Sequence, residues 1–96
     1  MRVITADEIS HSVEPLDLVD AMREAFVSIS RSRVRTTFSL LDLDAGDMHV
    51  KAAHDVGGDV YVVKVASAVP TNRERGLPVG NGGILICSAI TGQPRA

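Results

Sequence analysis

Apolar positions repeat at helical spacing near the N-terminus and at strand spacing after it. Leu16, Val19, Met22, Phe26 and Ile29, with Ala25 beside them, form one stripe, the signature of an amphipathic helix. Asp17, Asp20, Arg23 and Glu24 fall largely on the wet side, and Pro15 suits the first turn. Upstream, Thr5-Ala6-Asp7-Glu8 is a capping-box pattern that opens a shorter helix. Arg2 to Ile4 reads as a short strand. After Arg33 the period falls to two. Val34, Thr36, Phe38 and Leu40 alternate with Arg35, Thr37, Ser39 and Leu41.

Further strands are expected at Met48 to Ala53, at Val60 to Val69, the longest, and at Gly83 to Ile90. The turns between them are Asp44-Ala45-Gly46-Asp47 and the Gly57-Gly58 segment, and a loop runs from Pro70 to Gly82. Short connections between successive strands favour antiparallel pairing. The predicted class is α+β: an antiparallel β-meander with one long and one short N-terminal helix, the long helix packed on one face. The strands at Val60 to Val69 and Gly83 to Ile90 are apolar. The second lacks a following partner, and open edges of this kind pair with another chain. The chain ends just after the turn Thr91-Gly92-Gln93-Pro94, where a further strand is expected.

With 96 residues, 45% of them apolar, the chain is a single domain with a modest core. Phe26, Phe38 and Tyr61 are its only aromatics, so aliphatic residues must fill that core. A net charge of −2 gives no basic footprint for nucleic acid or an anionic membrane. Between Asp7 and Glu24 lie six acids and one base, and Arg31, Arg33 and Arg35 follow. Acids early and bases late complement a helix dipole. Cys87 is the only cysteine, sits in GGILICSAI, and reads as a small buried hydrophobe rather than a nucleophile. Neither a signal peptide nor a bilayer-spanning run is visible, and a cytoplasmic location is expected.

The glycine-rich segment GLPVGNGG, Gly76 to Gly83, does not fit a phosphate cradle. A P-loop needs Lys-Ser/Thr after its last glycine, and Ile84-Leu85 follow here. A dinucleotide fingerprint needs glycines ahead of a helix, whereas these precede a β-branched run. They are expected to serve turns or a close approach of backbone to another element. His49 and His54 lack further ligands at metal-site spacing, so a surface or hydrogen-bonded role is expected and no metal.

Three cations fall inside predicted strands: Arg35, Lys51 and Lys64. Lys64, flanked by Val62, Val63, Val65 and Ala66, stands out, because a charge is costly to bury without a partner. Pairing as a meander would let the three project toward one carboxylate, the arginine as a fork and the lysines as point charges. His49 and Lys51 share a strand face.

Several blocks resemble, in order, the N-terminal part of the ornithine cyclodeaminase/mu-crystallin family. They are RVITADEIS, AMREAF, GDMHVKAA, VYVVKVASAVPTN, RGLPVGNGGILI and ITGQPRA. Many members carry a proline shortly before the arginine of VRTT, where Ser32-Arg33-Val34 stand here. The resemblance implies a substrate-side and dimerisation domain for residues 1–96, and a following Rossmann domain for NAD or NADP that this sequence does not contain. It therefore implies a fragment of a longer protein, expected to bind no dinucleotide by itself. It implies carboxylate-binding roles for Arg35 and Lys64. It implies one for Lys51 as well, which matches a lysine of one branch of the family.

The resemblance implies that, in the complete enzyme, the nicotinamide takes a hydride from the substrate α-carbon and leaves an imine. Attack by a distal amine, loss of ammonia and return of the hydride then give cyclodeamination; other members reduce ketimines or oxidise amino acids. Lys64 is the expected catalytic residue, as carboxylate anchor and as acid or base if burial lowers its pKa. The implied partners are an amino- or imino-acid substrate and a second copy of the chain. The alternative reading is a non-catalytic dimerising or small-ligand-binding domain.

Overall fold

The computed structural model describes residues 1–96. Helix α1 (Ala6–Ser12) starts as its capping box requires. The Thr5 hydroxyl accepts from the Glu8 amide at 3.1 Å, and the Glu8 carboxylate accepts from the Thr5 amide at 2.6 Å. Helix α2 (Pro15–Ser30) has Pro15 in its first turn and Arg31 as its C-cap. Ser32 follows in the left-handed region at φ 55°, a turn that a non-glycine residue rarely makes, and the chain enters the sheet.

Four strands make the predicted meander: β1 (Val34–Leu43), β2 (Gly46–Asp55), β3 (Val60–Ala68) and β4 (Gly80–Ser88), antiparallel and in sequence order. The α+β class is as the pattern of residues indicates. The register is unbroken across all three pairs, with no bulge to shift a side chain from one face to the other. Gly82 lies where β4 crosses β3 closely: a Cβ there would collide with the Val65 carbonyl oxygen. This is the close backbone approach expected of that segment.

Four local expectations are corrected. The segment Arg2 to Ile4 is not a strand, although the Arg2 amide donates to the Arg95 carbonyl at 2.7 Å. The loop after β3 holds a 3-10 helix, Pro70–Arg75, and β4 begins earlier than expected, at Gly80. β3 is an interior strand, as the meander requires. The outer edge of β4 is partly covered as well: after the turn at Gly92, Pro94 bridges Cys87, and the Ile86 amide donates to Ala96 at 2.7 Å. The chain folds back on the strand that was expected to lack a neighbour.

The larger correction concerns packing. Helix α2 does not lie on the sheet, and its stripe is open, with Leu16 78% and Phe26 64% exposed. Only Cys87, Asn72 and Ser88 are buried. The accessible surface is 7630 Å², against about 5,300 Å² for a compact monomer of this length. The radius of gyration is 15.6 Å, against about 12.5 Å. Within residues 1–96 nothing covers the apolar stripe by which the helix would dock.

Candidate ligand-binding site

The register decides which cations meet. Lys51 in β2 is the direct partner of Lys64 in β3, and Phe38 in β1 is the direct partner of Lys51. Ile84 in β4 completes this row as the partner of Lys64. All four therefore project from one face of the sheet. The Lys51 ammonium lies 5.5 Å from the centre of the Phe38 ring, within the range of a cation–π contact. His49, two residues along the same face, meets Phe38 edge-on with ring centres 5.8 Å apart. Its Nε2 is 3.1 Å from the Asp47 carboxylate.

Neither Lys51 nor Lys64 has a carboxylate within ion-pair distance; the ion pairs of the chain are His11–Asp7, Arg23–Asp20, His49–Asp47 and Arg95–Asp59. Two like charges placed directly opposite on one face destabilise a sheet. The arrangement favours an anion between or above them. Lys64 is exposed, so the burial cost expected from its apolar flanks does not arise in this chain.

Arg35 does not join them. Its partner in β2 is His54, and that row continues through Tyr61 to Cys87. Strict alternation puts this row on the opposite face from the lysines. The expected convergence of three cations is therefore corrected to two. Arg35 lies three residues from Phe38 along β1, an odd separation, and the unbroken register offers no way across.

A small concavity of about 180 Å³ is bounded by His49, Lys51, Lys64, Ala66, Ser67 and Ala68. A larger one of about 780 Å³ begins at Lys64 and extends toward the N-terminal segment, with Val3, Ile4, Ile9, Ile84 and Ile86 among its walls. Lys64, Ala66 and Ser67 belong to both. This larger cavity was not legible from sequence spacing. It is formed by residues 1–9 folding over β4, a contact between distant parts of the chain.

The loop between β3 and β4 is braced from within. The side-chain amides of Asn72 and Asn81 both donate to the Pro78 carbonyl, each at 3.0 Å. On the far face, the Tyr61 hydroxyl is held above its ordinary pKa. The chief cause is a hydrogen bond with the Cys87 sulfur across the strand pair, followed by the negative charge of the Cys87 thiolate and by desolvation. Cys87 is 2% exposed, the buried small hydrophobe that its apolar run indicates. No cluster of three or more His, Cys, Asp or Glu side chains is placed to hold a metal ion. No helix is long and apolar enough to cross a membrane.

Gly80, Gly82 and Gly83 lie within β4 and lead into no helix. They do not present the bundle of amide donors at a helix N-terminus that a dinucleotide pyrophosphate requires.

Among solved structures the chain is similar to an archaeal alanine dehydrogenase, described as a dimer with bound NAD. The TM-score is 0.87 and the identity 23%, over 95% of this chain and 28% of that one. At this identity the likeness shows the fold. The chain spans little more than a quarter of the length of that protein. No family model matches the chain, and no curated protein matches it.

Proposed function

We propose that this chain is the substrate-side part of an NAD- or NADP-dependent enzyme acting on amino or imino acids, of the ornithine cyclodeaminase or amino-acid dehydrogenase kind. In this reading Lys64, assisted by Lys51, anchors the substrate carboxylate. The observation that carries it is the Lys51–Lys64 pair: directly opposite across two strands, on one face, without an internal carboxylate. A fixed carboxylate holds the α-carbon in one place, as hydride transfer demands. The reading does not depend on Arg35. The likeness in fold to an NAD-bound alanine dehydrogenase supports it. The dinucleotide would supply the hydride chemistry, held by a part of the protein other than these residues, and no step through it is derived from them.

A dimerising role belongs to the same reading. The chain exposes about 2,300 Å² more surface than a compact monomer of its length. This is the scale that obligate dimers cover. The similar alanine dehydrogenase is itself described as a dimer.

Titrating the chain with small carboxylates while following the Lys51 and Lys64 side-chain resonances tests the anchor. The reading expects saturable shifts on both lysines that disappear in Lys64→Met. Shifts that spread over all surface lysines, without saturation, would refute it. The catalytic part is tested in any product of the gene that continues past Ala96 into a dinucleotide-binding fold. Amino-acid-dependent change of nicotinamide absorbance is expected, and it should be lost in Lys64→Met.

A further inference from the structure

The cavity that starts at Lys64 has a chemical character of its own. One wall is β4, through Ile84 and Ile86; the other is the N-terminal segment and α1, through Val3, Ile4 and Ile9. Arg2 and Lys64 are its only charged side chains, no Asp or Glu lines it, and Met1 and Ala96 reach its rim. The smaller concavity on the Lys51 side has no acid either. Ile84 is the direct cross-strand neighbour of Lys64, so the apolar surface begins immediately beside the ammonium. A volume of about 780 Å³ is ample for a chain of several carbons.

We infer that the carboxylate ligand anchored at Lys64 carries an uncharged, apolar side chain, which lies in the cavity between α1 and β4. This rests on the carboxylate-anchoring reading of Lys64 and adds the class of substrate: an amphiphilic amino, imino or keto acid rather than a diamino acid. A distal ammonium in this cavity would meet Arg2 and Lys64 with no acidic side chain to receive it, and it would lose water against isoleucine and valine. A methylene chain would gain from the same walls.

The test uses the 96-residue chain and three probes with one headgroup: acetate, hexanoate and ω-aminohexanoate. Binding is followed by the methyl resonances of Ile9, Ile84 and Ile86 and by the lysine side chains. Each methylene in partial contact is expected to tighten binding about two- to fourfold. Hexanoate should therefore bind roughly twenty- to two-hundredfold more tightly than acetate, and ω-aminohexanoate should return close to acetate. Ile84→Ser, at a side chain 62% exposed and so tolerated by the fold, should reduce the gain without placing a charge beside Lys64. Ile9→Ser, on the opposite wall, should weaken hexanoate about five- to tenfold.

Equal binding of the three probes, with both lysines still responding, would overturn the apolar side-chain inference and leave the carboxylate anchor standing. Failure of every probe to shift either lysine would overturn the anchor and the inference with it. Hexanoate shifts centred on the α2 stripe at Phe26, instead of Ile9 and Ile84, would mark detergent-like adsorption and also overturn the inference.

Discussion

Lys51 and Lys64 face each other directly across β2 and β3, with the Phe38 ring beside the first and Ile84 beside the second. The pair is electrostatically unfavourable until an anion joins it. Removing one charge should therefore stabilise the free chain: Lys64→Met is expected to raise stability by a few tenths of a kcal/mol, about the size of a like-charge cross-strand term. The gain should be largest at low salt and shrink as salt screens it. In a complete enzyme carrying this segment, turnover should fall by roughly two orders of magnitude, the loss of a charge-assisted contact of about 3 kcal/mol. Thermal melting at two salt concentrations, with single-turnover rates, checks both. A Lys64→Met protein that melts earlier but turns over normally makes the lysine structural.

The opposite face offers a test of proton chemistry. Tyr61 is held above its ordinary pKa, chiefly by its hydrogen bond with the Cys87 thiol. A folded pKa raised above the unfolded value means that the folded state holds the proton longer. The associated stability is therefore complete below the unfolded tyrosine value of about 10 and is lost as pH rises through the folded value. Phenolate absorbance should titrate later in the folded chain than in urea. Cys87→Ala should move the folded midpoint back toward the unfolded one. An unchanged midpoint in Cys87→Ala would remove the thiol as the cause.

Two neighbouring glycines should respond oppositely to the same change. A Cβ at Gly82 collides with the Val65 backbone carbonyl, whereas one at Gly83 meets nothing within 4 Å. Gly82→Ala must push β4 away from β3 and is expected to cost about 2 kcal/mol or more. Gly83→Ala should be neutral or slightly stabilising, by reducing the freedom of the unfolded chain. Urea denaturation of the two variants provides the comparison. Equal costs would mean that the β3–β4 crossing is looser than described.

Local chemistry made much of this fold legible. The Thr5–Glu8 capping box, Pro15 in the first turn of α2 and the period-two run after Arg33 each act within a few residues, and each appears where the sequence places it. Lys51 and Lys64 were also visible, as charges inside strand patterns. What spacing could not supply was relative facing. Arg35 shares with the lysines a place inside a strand pattern, yet the parity of the β1–β2 register sends it to the other side. The α2 stripe is plain in the sequence, but amphipathicity says only that a face needs covering, not which surface covers it. The cavity beside Lys64 depends on residues 1–9 reaching β4, and no local pattern encodes that.

The uncovered stripe leads to the last prediction. Leu16, Val19, Met22, Phe26 and Ile29 are each more than half exposed, and Phe38 and Leu40 on the sheet are too. Patches of this size on a free monomer are rare and mark association surfaces. The chain is therefore expected to dimerise or assemble further in solution, with α2 in the contact. The exposed stripe supplies the driving force, and pairing at the β4 edge is hindered because residues 94–96 already occupy part of it, which leaves β1 as the open edge. Phe26→Ser should weaken self-association by about tenfold or more, the cost of withdrawing one large apolar side chain from an interface. It should leave the sheet intact, since the helix does not pack on it. A substitution on the β1 edge, Thr37→Lys, should have a smaller effect if α2 forms the contact. Light scattering across a concentration series, with amide spectra as the check on folding, separates the cases. A wild-type chain that stays monomeric at high concentration would contradict the assembly itself. A Thr37→Lys chain that dissociates while Phe26→Ser stays associated would move the interface from the helix to the sheet edge.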